Sequence, residues 1–440
     1  MPKITFMGAG STVFAKNVLG DCMLCDSLKD DLDIALYDID AQRLEESRCV
    51  IEALNKKYNN SKAKITVYCG VENRKAALKN ARFVVNAIQV GRYDPCTITD
   101  FEVPKKYGLR QTIGDTLGIG GIFRALRTIP VLEDFAHDIE EVCPDAWFLN
   151  YTNPMAMISN YMQRFTGVKT IGLCHSVQVC SRQLFGKLGL SEYDGNSVDL
   201  IAGINHMAWL LETKDKDGND LYPLAKKLAK EKNESVIHND MVRYEYMNRL
   251  GYYCTESSEH NAEYNPFFIK SKYPELIEKY NIPLDEYPRR CIDQIKKWED
   301  RKNSALSGEL EHTRSEEYAS RIFEAMVTNT PYKIGGNVLN DNLITNLPRE
   351  ATVEVPCMVD GCGIHPTVIG NLPTQLAAMN SSNIFPQLLT VEAAVTKKKE
   401  KIYQAAMMDP HTAAELSIDD IVAMCDDLIE AHGDWLPKYN

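Results

Sequence analysis

The chain lacks any uninterrupted apolar run near the roughly 18 residues that a bilayer-crossing helix needs, and its amino terminus lacks the basic-then-apolar order of a secretory leader. A cytoplasmic protein with no membrane partner is the expectation. Positive charge is also short: 49 Lys and Arg face 61 Asp and Glu, a net charge of -12, so a polyanion would be repelled and nucleic acid is not expected as a partner. Repeats and low-complexity tracts are missing as well, which sets aside solenoids and fibrous folds. The 13 cysteines are odd in number and scattered from Cys22 to Cys425, unlike the dense, even framework of a small secreted domain. They read as reduced thiols. Cys22 and Cys25 form a C-x-x-C with no second pair at zinc-ribbon spacing, which favours packing over metal binding.

What is present is a chain of 440 residues, 44% hydrophobic, long enough for two packed domains. Its first half alternates. Lys3 to Met7 reads as a strand that ends at Gly8-Ala9-Gly10-Ser11, after which Val13, Phe14, Val18, Leu19 and Met23 recur at helical spacing. Further strands are expected at 32–38, 81–89, 146–150 and 170–174, with helical stretches between most of them. This alternation specifies an α/β fold, a doubly wound Rossmann-like parallel sheet covered by helices. From about Ser191 the pattern changes: one strand is expected over 200–214, then charged helical segments, with a helical end from Thr390 through Leu428. The expected domains are 1–195, binding a dinucleotide, and 196–440, an α+β domain for substrate, metal and oligomer contacts. The charges at 397–401 read as a solvated helix face.

Gly8, Gly10 and Val13 occupy the three positions of the dinucleotide fingerprint, so two of its glycines are kept and the one for helix packing is replaced. A strand leading through a glycine turn into a helix presents free N–H groups and a positive dipole end to a pyrophosphate. Gly8, Gly10 and Ser11 are therefore cofactor-site candidates. Asp38, at the end of the second strand, suits a ribose 2′-hydroxyl and repels a 2′-phosphate, which favours NAD over NADP; Asp40 is its rival. Ile88, Gln89 and Val90 fall at the next strand's end and would flank the cofactor.

By the same rule Asn150, Asn153, Cys174 and His175 converge on the crevice outside the carboxyl ends of parallel strands. Asn205-His206 interrupts an apolar run, and a polar pair there needs partners. Cys174 as thiolate and His206 as neutral imidazole are competent ligands for a divalent metal, although packed core residues of these types are the commoner case.

Gly8-Ala9-Gly10-Ser11, the segment 111–121 (QTIGDTLGIGG), Asn150-Tyr151-Thr152-Asn153-Pro154, Cys174-His175-Ser176-Val177, Gly203-Ile204-Asn205-His206 and the carboxyl-terminal 431–437 (AHGDWLP) together resemble glycoside hydrolase family 4, in its α-galactosidase branch, over essentially the whole chain. The resemblance implies a glycosidase that uses NAD and a divalent metal, usually Mn, outside the two-carboxylate rule of most glycosidases. It also implies Cys174 and His206 as metal ligands, Asn153 as a sugar contact, His175 as the acid that protonates the leaving group, and a homodimer or homotetramer. The tetrapeptide C-H-S-V in place of C-D-M-P, and Cys96 where the phospho-types carry an arginine nearby, imply an unphosphorylated α-galactoside such as melibiose. Thiolate is a soft ligand and by affinity would favour zinc or iron, so the sequence leaves the metal open.

The implied chemistry is oxidation of the sugar at C3, which acidifies the C2 proton, then elimination of the aglycone, addition of water and return of hydride, with no net redox change. The C2 base is expected in the segment 255–264 (TESSEHNAEY), where alignment puts Ser257 at the family's position for it. Tyr264 and then His260 are the candidates. Arg289-Arg290 reads as a solvated pair or a substrate contact. Alternatives are an α-glucosidase or α-galacturonidase of the same family, an NAD-dependent 2-hydroxy acid dehydrogenase, and a non-catalytic NAD-binding protein.

Overall fold

A computed structural model describes residues 2–297, 303 and 310–440. Among these residues twelve strands form one sheet. In chain order they are β1 (Lys3–Met7), β2 (Asp33–Asp38), β3 (Lys64–Cys69), β4 (Phe83–Asn86), β5 (Trp147–Asn150), β6 (Lys169–Gly172), β7 (Val198–Ile204), β8 (Met207–Lys214), β9 (Tyr253–Cys254), β10 (Tyr332–Leu339), β11 (Thr352–Asp360) and β12 (Gly363–Pro366). The spatial order is β3-β2-β1-β4-β5-β6-β10-β11-β7-β8-β9, with β12 paired to β11. From β3 to β6 every pairing is parallel; beyond β6 every pairing is antiparallel.

The first six strands follow the doubly wound order, with its reversal between β1 and β4. Their sequences explain the burial. Phe83–Asn86 is buried at every position and Lys3–Met7 at all but the first, as strands covered by helices on both faces must be. One cluster of core side chains includes Phe6, Leu36 and Phe83, and a second on the other face of the strands includes Val84, Phe148 and Leu126. The helix Thr12–Leu24 follows the glycine turn, and both Cys22 and Cys25 are buried at its end, in packing positions. No described helix is long and apolar enough to cross a membrane, and all 13 cysteines are free thiols.

Several sequence expectations are corrected. Lys64–Cys69 is a strand that the pattern did not reveal; as an edge strand its side chains are half-buried, and the alternation is weak. The expected single strand over 200–214 is a hairpin of β7 and β8, turning at Asn205-His206 with His206 at φ +63°. No Asn-Gly or Asp-Gly pair marks that turn, so its apolar flanks read as one run. The expected strand over 170–174 ends at Gly172, and Cys174 instead caps the helix His175–Leu188. The carboxyl-terminal helices begin at Thr374 rather than Thr390. Lys397 is not on a helix face but at a left-handed break after Thr396, while Lys399 and Lys401 pair with Asp426 and Glu392.

Candidate active site

The polar ends of the parallel strands meet residues from the second half of the chain in a cavity of about 380 Å³. At one end lies the dinucleotide turn. Gly8 has φ +83°, and a Cβ there would come 2.7 Å from the Ala87 carbonyl oxygen, so the strand–strand approach admits only glycine. A Cβ at Gly10 would stand 2.8 Å from Asp38 Oδ2, because that carboxylate accepts the Gly10 N–H at 2.7 Å and the Asp40 N–H at 2.9 Å. Asp38 thus sits at the β2 end beside the turn. Its rival Asp40 is engaged elsewhere: it caps the helix Ala41–Asn59 by accepting from the Arg43 N–H at 3.1 Å and pairs with Arg92 at 3.0 Å. Ser11 and Gln89 line the cavity, and the helix begun after Ser11 has no side-chain cap, which leaves its first N–H groups for a ligand. This turn, helix and acidic strand end fit an NAD pyrophosphate and adenosine ribose.

At the other end, Cys174, His206 and Glu256 each offer one ligand atom, and the three atoms lie within 4.8 Å of one another. Each is delivered by a different element. Cys174 precedes the helix His175–Leu188 and is pinned by Tyr318, whose hydroxyl accepts the Cys174 N–H at 2.6 Å. His206 stands in the β7–β8 turn, its Nδ1 3.3 Å from the Tyr264 hydroxyl and its Nε2 3.5 Å from Glu256. Glu256 lies just after β9, whose pairing with β8, Trp209 opposite Cys254, carries it back to His206.

The electrostatics of this trio call for a cation. Burial, with Glu354 and Glu256 nearby, pushes the Cys174 thiol far up. Burial opposes ionisation of Glu256 too, but the imidazoles of His260 and His206 hold its carboxyl down at about 2. Behind them Glu354, buried and accepting from Asn337 at 2.9 Å, is pushed by burial up to about 7. A divalent ion would take the place of the thiol proton, with thiolate, imidazole and carboxylate as protein ligands and its remaining positions open to the cavity. The donor set fits such an ion.

His175, Asn153 and His260 all line the cavity. Burial works against a proton on His175, yet the Glu317 carboxylate 2.6 Å from its Nε2 prevails and raises its pKa. The Asn153 side-chain amide donates to Asp115 Oδ2 at 3.3 Å. Burial lowers the pKa of His260 against the opposing pull of the Glu256 carboxylate; its Nδ1 is 2.7 Å from the Ser257 hydroxyl. Tyr264 is completely buried and lies behind His206 rather than on the cavity wall. Asn150, also buried, links strands instead of facing the cavity: its Oδ1 accepts from Asn86 at 2.9 Å and from the Thr152 N–H at 3.1 Å. Arg289 and Arg290 form exposed ion pairs with Glu286, and Arg290 also with Glu259.

Sequence reasoning missed Glu256, Asp115, Arg124, Tyr287 and Glu317. Asp115 and Glu256 lie inside the segments 111–121 and 255–264, where no local pattern sets them apart from their neighbours. Arg124 projects from the helix Gly118–Val142 and donates to the Tyr287 hydroxyl at 3.2 Å, an encounter across 163 residues that no local pattern announces.

Known proteins resemble this chain over its whole length. Residues 3–190 match the family 4 glycosyl hydrolase model and residues 201–412 match the family 4 glycosyl hydrolase C-terminal domain. An α-galactosidase of Bacillus subtilis (strain 168) is 63% identical over 440 residues, covering 100% of both chains. An α-galactosidase of Rhizobium meliloti (strain 1021) is 32% identical over 99% of this chain and 89% of its own. The crystal structure of a 6-phospho-α-glucosidase from gut microorganisms in complex with NAD and Mn2+ is alike in fold, with a TM-score of 0.80 at 21% identity and 100% of each chain covered. The chain belongs to the family 4 glycosyl hydrolases.

Proposed function

We propose that this protein is an α-galactosidase that hydrolyses unphosphorylated α-galactosides with bound NAD and a divalent metal, Mn2+ being our assignment. The observation that carries the reading is the joining, in one cavity, of a dinucleotide turn to the Cys174, His206 and Glu256 cluster. The 63% identical B. subtilis α-galactosidase supports the sugar, and NAD with Mn2+ in the 6-phospho-α-glucosidase crystal supports the cofactors. The charge of the wall supports an unphosphorylated substrate. Among the described residues Arg124 is its one Lys or Arg side chain, and Asp115 and Glu256 oppose it. Cys96, in the segment where phospho-types carry an arginine, is buried against Gly91.

When bound, the nicotinamide and the metal supply reversible oxidation at sugar C3 and Lewis-acid stabilisation of the charge that develops at C2 deprotonation. The remaining steps belong to side chains. Asn153 and Asp115 bind sugar hydroxyls. His260, on the wall, takes the C2 proton; Tyr264, sealed behind His206, orients the His206 imidazole through Nδ1. Glu317 engages His175 Nε2, which leaves Nδ1 to deliver a proton to the glycosidic oxygen as the aglycone departs. We assign the enzyme to the cytoplasm, a reading that its unpaired cysteines support, and a homodimeric or homotetrameric state, which sedimentation tests.

The test is turnover of nitrophenyl α-galactoside by purified protein with NAD, Mn2+ and reductant each added or withheld. The expected result is hydrolysis that needs all three and forms no net NADH. Turnover of the 6-phosphate or the α-galacturonide in preference to the galactoside contradicts the sugar assignment, and net NADH formation with a hydroxy acid points to a dehydrogenase.

A further inference from the structure

Glu263 takes no part in the steps above, yet it is buried and ends the short helix Ser258–Glu263 whose His260 lines the cavity. Its carboxylate accepts three successive backbone N–H groups of one loop: Thr112 at 2.7 Å, Ile113 at 3.2 Å and Gly114 at 2.8 Å. Gly114 has φ +56°, the left-handed conformation that turns consecutive N–H groups inward toward an anion. Immediately after it, Asp115 reaches the cavity and meets Asn153. Beyond it the chain packs closely on the helix Gly118–Val142, where a Cβ on Gly121 would press 2.7 Å from the Thr116 backbone. On the other side of Glu263, Tyr264 holds His206.

We propose that Glu263 is a positioning residue: it clamps the 112–114 loop to the helix carrying His260, and so fixes the Asp115–Asn153 sugar subsite relative to the metal ligands. The inference rests on the glycosidase reading for its kinetic consequence, but the clamp itself is visible without catalysis. A carboxylate facing three N–H donors makes charge-assisted bonds that glutamine, with one oxygen and an amide donor turned toward those N–H groups, cannot reproduce. A shift of about 1 Å in a substrate-positioning group is enough to cost a large part of the rate.

The experiment compares the parent holoenzyme with Glu263→Gln, Gly114→Ala and the double variant. Parent turnover of nitrophenyl α-galactoside is measured first, and its absence speaks against the proposed activity, not against the clamp. Hydrogen exchange read by mass spectrometry should find the 112–114 amides protected in the parent and exposed in Glu263→Gln, while protection of the parallel strands persists. Glu263→Gln should lower kcat/KM by about 10- to 100-fold, with a higher KM for galactoside and an unchanged Kd for NAD. The two single losses should not add in the double variant, because both release the same loop. If Glu263→Gln does not accumulate folded, Gly114→Ala carries the exchange and KM comparisons. Parent-like protection of the loop, kcat/KM within twofold of the parent, additive losses, or a loss of NAD affinity in step with that of galactoside would each overturn the proposal.

Discussion

Cys174 illustrates how one residue's environment specifies its chemistry. Buried beside Glu256 and Glu354, its thiol resists ionisation, and only a cation makes the thiolate favourable there. Cys174→Ser should therefore abolish both stoichiometric metal and turnover, as measured by metal analysis after gel filtration and by galactoside assay. Glu256→Gln should weaken metal binding by about 10- to 100-fold without unfolding the protein, read by metal titration; parent-like affinity would remove Glu256 from the ligand set. Cys174 and His206 were legible in the sequence, one through its place after a strand and the other as a polar interruption. Glu256 was not. Its place beside them arises only when Cys254 pairs opposite Trp209, a contact that composition and periodicity do not encode.

Among the elements, the β1 turn and the β2 end form a unit. Asp38 is held by the Gly10 and Asp40 N–H groups, and its carboxylate would meet a 2′-phosphate with like charge. Asp38→Ala should weaken NAD by about 10- to 100-fold, the scale of a charge-assisted hydrogen bond, and narrow the preference over NADP; equilibrium binding of the two dinucleotides checks it. This unit was readable because strand, glycine turn, helix and acid follow one another within 38 residues. The hairpin that presents His206 was not, since apolar residues on both sides of its turn hide the reversal of direction.

For the molecule as a whole, the sheet continues from the parallel strands through β10 and β11 into the β7–β8 hairpin. The alternation of the first half announces its own fold. The second half's strands are set by partners far away, as when Asn337 meets Gly172, and one expected strand there became part of a larger antiparallel array. A buried triad also ties the carboxyl-terminal helix to the first half: Arg127 grips Asp100 at 3.0 and 2.6 Å, His432 Nε2 lies 2.9 Å from the same carboxylate, and Arg127 Nε donates to the Val90 carbonyl at 3.2 Å, beside Gln89. Burial alone would raise Asp100, but Arg127 and His432 bring its carboxyl below the usual range. A depressed carboxyl stabilises the fold above its unfolded pKa of about 3.9, and that contribution is lost as pH falls through the folded value. Asp100→Asn should cost about 3 kcal/mol at pH 7, with the gap to the parent closing below about pH 4; denaturant midpoints across pH measure it.

The reaction assigned to the cavity breaks and remakes the C2–H bond of the galactosyl ring, which hydrolysis by paired carboxylates never does. Hydrolysis of α-galactoside in D2O by the protein loaded with NAD and Mn2+, followed by NMR of the released galactose, reads that bond directly. Deuterium at C2 is the predicted result. Galactose released at full rate with its C2 proton intact would contradict the account.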